Sequence, residues 1–201
     1  MSETKNPQTR ENQTSEEYLK TERSATSRHE FVGGKILSVA GSNRTRSLLG
    51  SNATIAIGNR VHGQKNEIYA GNMRVQISAN RFSYPDVVIV SAKPIFADNQ
   101  MDTLQNPTIV LETYSKNTNS VDKTEKLESY LAMDSIREYV LIKEDEMRVE
   151  HYAKQNAKQW VYRIYNERDE VIALDSVNCK VSLTEIYSQI NFETIGKPAG
   201  V

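Results

Sequence analysis

Tyr84-Pro85-Asp86-Val87-Val88-Ile89-Val90 decides the fold, together with Pro107-Thr108-Ile109-Val110-Leu111-Glu112-Thr113-Tyr114-Ser115 beyond a polar interval. Each run is short, rich in β-branched residues and bounded by proline or polar clusters. That pattern predicts two buried strands. Thr118-Asn119-Ser120-Val121-Asp122-Lys123-Thr124-Glu125-Lys126-Leu127-Glu128-Ser129-Tyr130 then predicts a helix that Thr118 caps and that runs to about Met133. Asp86 and Glu112 fall at strand ends, where a carboxylate is costly to bury unless it is paired or holds a metal. Lys126 falls on the helix that follows. Two acids and a lysine on adjacent elements of one sheet point to a metal-dependent phosphodiesterase site.

Toward the N-terminus, residues 43–61 carry apolar side chains at roughly helical spacing, and a helix ending at Gly58 is expected. Ile68-Tyr69-Ala70 and Met73-Arg74-Val75-Gln76-Ile77 read as strands, the second with clean alternation. Before them, Gly33-Gly34 separates two strand-like runs, so residues 28–40 predict a hairpin with Glu30 at its start. Ser15-Glu16-Glu17-Tyr18-Leu19 predicts a short helix with Ser15 as N-cap and two acids at the positive helix end. Residues 1–14 are polar and read as a disordered tail.

Toward the C-terminus, residues 136–142 and 147–152 predict a hairpin around Lys143-Glu144-Asp145-Glu146. Trp160-Val161-Tyr162-Arg163-Ile164-Tyr165 predicts a further strand, Leu183 to Ile190 a closing helix, and residues 191–201 a C-terminal tail. Residues 91–107 read as one long polar loop. No internal repeat or linker interrupts the pattern, so residues 15–190 are expected to form one domain.

Composition narrows the function. The chain has 201 residues, 38% of them apolar including ten tyrosines, and a formal net charge of -1. No global field therefore draws it to nucleic acid or to an anionic membrane. Cys179 is the only cysteine, which excludes an internal disulfide and a cysteine-built zinc site and suggests a reducing compartment. Residues 1–30 show no apolar targeting segment, and the longest apolar runs, such as Tyr139-Val140-Leu141-Ile142, are far too short to span a bilayer. A soluble cytoplasmic protein without membrane contact is the expectation. His29, His62 and His151 lack metal-binding spacing. The glycines, Gly33, Gly34, Gly58, Gly63 and Gly71 among them, form no phosphate-cradling fingerprint, so no nucleotide cofactor is expected. Ser115 lacks the context of a hydrolase nucleophile.

Phosphodiester cleavage at neutral pH needs a divalent cation, hard oxygen ligands and a positive charge near the transition state. Asp86 and Glu112 are the candidate ligands, with the backbone carbonyl of Thr113 as a third oxygen. Lys126 is the candidate cation, and Glu30 joins if the first hairpin folds alongside. Blander readings coexist. Asp86 after proline suits a loop cap, Glu30 suits an edge-strand surface, and Asp122 and Lys126 at i,i+4 suit an exposed ion pair worth about 0.3–0.5 kcal/mol. Lys116 and Lys123 are rival lysines. Arg44, Arg46, Arg60, Lys65, Arg74 and Arg81 make the first half locally basic, either as a phosphate-contacting surface or as solvated charge.

Pro85-Asp86-Val87-Val88-Ile89-Val90, Ile109-Val110-Leu111-Glu112-Thr113-Tyr114-Ser115 with Thr118, and Asp122, Lys126 and Tyr130 together resemble the Uma-two family. That family belongs to the PD-(D/E)XK, restriction-endonuclease-like nucleases. Glu16-Glu17-Tyr18-Leu19, Arg28-His29-Glu30-Phe31 and Gly34-Lys35-Ile36 resemble its opening. Arg137-Glu138-Tyr139-Val140-Leu141 and Arg148-Val149-Glu150-His151-Tyr152 resemble its later strands. The resemblance spans roughly residues 15–190. It implies an α/β (α+β) fold, with a mixed central sheet flanked by helices and extra hairpins. It implies Mg²⁺-dependent DNA hydrolysis, with Mn²⁺ as a substitute and a homodimer as the usual form. Glu30, Asp86 and Glu112 are then the acids and Lys126 the lysine. Asp122, Tyr130 and Tyr114 occupy supporting positions.

The chain departs from the family in three places. Tyr114 stands where the wider superfamily carries its lysine. Asn43-Arg44-Thr45-Arg46-Ser47 lacks a histidine that many members carry. Thr113-Tyr114-Ser115-Lys116-Asn117-Thr118 lacks the usual proline. Three hypotheses follow: a metal-dependent endodeoxyribonuclease, a catalytically weak or inactive DNA-binding or interaction module on the same fold, and a structural homo-oligomer.

Overall fold

The computed structural model describes residues 12–39, 41–61, 65–116, 118 and 120–194, without the side chains of Val121, Asp122 and Thr194. In chain order the helices are α1 (Ser15–Glu22), α2 (Arg44–Val61), α3 (Ser120–Leu131) and α4 (Leu183–Ile186). The strands are β1 (His29–Val32), β2 (Lys35–Ser38), β3 (Glu67–Ala70), β4 (Arg74–Ser78), β5 (Arg81–Ser83), β6 (Val87–Val90) and β7 (Thr103–Leu104). They continue as β8 (Ile109–Tyr114), β9 (Glu138–Lys143), β10 (Val149–Asn156), β11 (Gln159–Tyr165), β12 (Val171–Leu174) and β13 (Cys179–Ser182). No helix among the described residues is long and apolar enough to cross a membrane.

The fold is mixed α/β. The central sheet has the order β11-β10-β9-β8-β6-β3, with β8 and β9 parallel and the other pairs antiparallel. A second sheet has the order β2-β1-β5-β4-β7, and β12 pairs with β13. The central strands read as unbroken apolar runs because both faces of the sheet are covered. Val87, Ile89, Ile109, Leu111, Val140 and Ile142 point to a core closed by Leu49, Ala53, Ala56 and Ile57 of α2. Val88, Val90, Val110, Tyr139 and Leu141 point to the opposite core, with Tyr130, Met133, Ile136 and Val75. The side-chain period of two thus assigns alternate residues to different layers. Glu112 shares its parity with Val110, so it enters the layer that holds α3.

Several local expectations change. Thr14, not Ser15, caps α1, because Thr14 is extended and its hydroxyl accepts from the Glu17 N–H in a capping box. The Ser15 hydroxyl instead donates to Ala79 O. α2 continues past Gly58 to Val61, because its buried stripe runs on through Ile57 and Val61. Gly58 faces Ile68, where an added Cβ would lie 3.8 Å from Ile68 Cδ1, an ordinary contact, so the glycine neither ends the helix nor is required by its packing. The interval 91–107 is not one loop: β7 lies parallel to β4, and Phe96 bridges Leu104. A two-residue strand leaves no periodic signal. The closing helix ends at Ile186, and the backbone turns at Gln189, whose φ is 62°. Of the expected tails at residues 1–14 and 191–201, residues 1–11 and 195–201 lie outside the described residues, as do His62 and Gly63, whereas Thr14 caps α1 and Phe192–Thr194 forms a short 3-10 turn.

Candidate active site

The antiparallel register of β6 and β8 brings the two acids together. Val87 pairs with Leu111, and one step further along the same register sets Asp86 opposite Glu112. Asp86 lies just before β6, and Glu112 lies within β8 rather than at its tip. The Thr113 N–H and hydroxyl both donate to Asp86 Oδ2, at 2.7 and 2.8 Å.

Lys126 reaches in from α3. Its ammonium lies 3.0 Å from Glu112 Oε2 and 2.8 Å from Glu30 Oε1. The exposed-surface alternative for Lys126 is therefore replaced by a three-residue charge cluster that joins β1, β8 and α3. Glu30 also accepts from the Ser83 hydroxyl and from the Tyr84 N–H. Burial resists the charge on Glu30, but Lys126 and these hydrogen bonds outweigh it and lower its pKa. Burial likewise resists the charge on Lys126, yet Glu112 and Glu30 together raise its pKa. Glu112 is different. Desolvation dominates Lys126, and Glu30 and Asp86 add repulsion, so its pKa is pushed up to about 7. Its Oε1 is buried without a hydrogen-bond partner.

These groups border a cleft of about 370 Å³ whose lining includes Glu30, Arg46, Glu112, Thr113, Lys123 and Lys126. Tyr114 also lines it, but its hydroxyl donates to Glu150 Oε1 at 2.7 Å. The Lys123 ammonium sits 3.9 Å from the Tyr114 ring centroid and 3.1 Å from Glu150 Oε2. The rival lysine thus serves a neighbouring cluster rather than the acids. Lys116 is exposed, and its N–H donates to Asp145. Tyr130 is fully buried and stacks on Tyr139, with ring centroids 5.2 Å apart. Asp122 belongs to α3, but its side chain lies outside the described residues.

One site residue was read only as part of a basic stretch. Arg46, in the first turn of α2, donates from Nε to Asp86 Oδ1 at 3.1 Å and from Nη2 to Oδ2 at 3.2 Å. A cation near a helix N-terminus is unfavourable without an anion beside it, which is the one local sign in the sequence that Arg46 needs a partner, though it does not say which. The notion of a continuous basic surface does not survive. Arg74 is buried and bound to Thr103, Tyr84 and Asp102, and Arg60 pairs with Glu185.

The sequence profile of the Uma2 family, described as "Putative restriction endonuclease", matches residues 15–185. This chain belongs to the Uma2 family. Among relatives in sequence, "Uncharacterized protein sll1609" of Synechocystis sp. is 32% identical over 149 residues, covering 74% of this chain and 84% of the relative. "Uncharacterized protein slr1290" of the same organism is 24% identical over 178 residues, covering 88% and 92%. The fold matches the crystal structure of a "putative nuclease belonging to DUF820" from Anabaena variabilis with a TM-score of 0.73 and 18% identity. That match covers 88% of this chain and 98% of the other. The restriction-endonuclease-like expectation for the fold therefore holds, and Uma2 membership supports a nuclease.

Proposed function

We propose that this chain is a metal-dependent endonuclease that hydrolyses DNA phosphodiester bonds, with Mg²⁺ as the working ion and Mn²⁺ as a substitute. Lys126 carries the reading: a lysine from a helix meets Glu112 and Glu30 at one cleft, with Asp86 opposite Glu112 one step beyond the Val87–Leu111 pair. DNA is the partner and a cytoplasmic homodimer the working form on the same reading.

Among the described residues, no three His, Cys, Asp or Glu side chains gather as a ready-made metal cage. Mg²⁺ does not require one, because it commonly takes one or two carboxylates plus waters and substrate phosphate. Glu112 Oε1, buried without a hydrogen-bond partner, is an oxygen that a cation would satisfy. The donors fit the ion: Asp86 and Glu112 would hold it, with the Thr113 backbone carbonyl as a third oxygen. When bound, the ion polarises the phosphoryl oxygen and makes a water more acidic.

The remaining work falls to side chains. Lys126 stays protonated at neutral pH because two carboxylates outweigh its burial. It therefore serves as a cation and hydrogen-bond donor, not as a base. Negative charge grows on the phosphoryl oxygens during cleavage, and a fixed ammonium beside them lowers the barrier. Glu30 holds that ammonium in place, with its own position fixed by Ser83 and Tyr84.

The purified chain with Mg²⁺ or Mn²⁺ is expected to nick supercoiled plasmid DNA, and Glu112→Ala to abolish nicking. Equal nicking by both proteins overturns the assignment. One arrangement favours the second reading, a non-catalytic DNA-binding module. The position of the superfamily lysine is occupied by Tyr114, whose hydroxyl is engaged by Glu150. Calorimetry separates the two: intact DNA binding without Mn²⁺ binding supports the module.

A further inference from the structure

Arg46 does more than balance a charge. A carboxylate offers about four acceptor positions, and Asp86 receives four donors: two from Arg46 and two from Thr113. Three of these donors fall on Oδ2, so Oδ1, which takes only Arg46 Nε, is the oxygen that a cation would meet, and there the guanidinium stands in its way as a like charge. The two Thr113 donors come from the rigid strand β8 and fix the carboxylate's aim. The two Arg46 donors come from a long side chain in the first turn of α2, so they are the ones that can leave. Space exists for that movement. Arg46 borders the catalytic cleft on one side. On the other it borders a second hollow of about 520 Å³ along α2, lined by Ser47, Gly50, Thr54 and Asp86 among others. Arg46 lines both hollows, whereas Asp86 lines only the second.

We propose that Arg46 is a displaceable latch: it occupies Asp86 while the site lacks a divalent cation, and on displacement it turns to bind a phosphate of the nucleic-acid backbone. This rests on the proposed metal-dependent reading. A guanidinium suits both partners, because its planar fork matches a carboxylate and a phosphate in the same bidentate geometry. The exchange conserves charge pairing. The cation replaces Arg46 at Asp86, and the phosphate replaces Asp86 at Arg46. Cation binding and phosphate binding are then coupled through one side chain, and each strengthens the other to the same degree.

The test uses the full chain and two variants, Arg46→Gln and Arg46→Lys. Calorimetry with Mn²⁺ alone measures cation affinity. Fluorescence anisotropy with a short labelled DNA duplex, in Ca²⁺ and in EDTA, measures phosphate binding without relying on turnover. Arg46→Gln is expected to bind Mn²⁺ at least about tenfold more tightly than the parent, the factor equivalent to about 1.4 kcal/mol. It is also expected to lose the gain in DNA affinity that Ca²⁺ gives the parent. Arg46→Lys, with charge but no fork, is expected to fall between them, and it carries the comparison if the glutamine variant does not fold. Equal or weaker Mn²⁺ binding by the variants, alongside clear binding by the parent, overturns the latch and leaves the metal-dependent reading standing. Absence of Mn²⁺ binding in all three proteins overturns both.

Discussion

Lys126 is the residue on which the site turns. Its ammonium is the cation between Glu30 and Glu112, and removing one partner of a buried charge cluster costs more than the cluster contributes net. Lys126→Met is expected to destabilise the fold by about 3 kcal/mol in urea denaturation, and to abolish nicking as well. A variant that loses activity with unchanged stability would mean that the two acids tolerate each other without it. That a lysine on the helix after the second acid was a candidate was readable in the sequence. Its direction was not. Asp122 at i−4 offered a surface partner, and only the observed contacts with Glu30 and Glu112 decide between them. Arg46 was less legible still, because its partner Asp86 is forty residues away and no local spacing connects them.

At the scale of elements, a charged network fastens α1 to β4 and β7. Arg23 binds Asp102 at 2.8 Å and Asp98 at 2.6 Å, and Arg74 pairs with Asp102 at 2.9 Å. The hydrogen bond from Arg23, with those from Thr103 and the charge of Arg74 outweighing burial, lowers the Asp102 pKa well below the ordinary carboxylate range. The folded state therefore binds a proton less readily than the unfolded chain. The resulting stability is fully present above about pH 4, the unfolded value, and declines as pH falls toward the lower folded value. Asp102→Asn is expected to cost about 1–2 kcal/mol at pH 7, a figure discounted because the side chain is one-third exposed. Thermal melts should show the difference from the parent shrinking as pH falls below 4. A penalty that stays constant with pH would assign the loss to packing instead. This network explains why the interval 91–107 is ordered: Asp98 and Asp102 both answer Arg23, and β7 adds backbone pairing.

The whole molecule is layered around the central sheet. α2 and the β12–β13 hairpin cover one face, and α3 with the second sheet covers the other. The site lies where these layers meet: Glu30 comes from the second sheet, Glu112 from the central sheet, Lys126 from α3 and Arg46 from α2. Loosening α2 should therefore disturb stability first. Leu49 is fully buried in that layer, and Leu49→Ala is expected to cost about 2–4 kcal/mol in chemical denaturation. A cost below about 1 kcal/mol would show that α2 is not held by its apolar stripe.

The sequence by itself determined much of this protein. The two apolar runs, the hairpins, the helix after β8 and the acids Asp86 and Glu112 were all visible, because strand and helix periods and β-branched composition are local properties. The family resemblance carried the architecture, and Glu30 was a candidate that depended on where the first hairpin folds. Three things were decided only by tertiary structure. The weak strands β7, β12 and β13 form because neighbours complete their hydrogen bonds. Lys126 rather than Lys123 meets the acids, since Glu150 and the Tyr114 ring engage Lys123. Arg46 occupies Asp86, since α2 packs its first turn against the start of β6. The physical reason is the same in each case. Periodicity states which face of an element is buried, whereas the partner of a charged group depends on which elements the packed layers bring side by side.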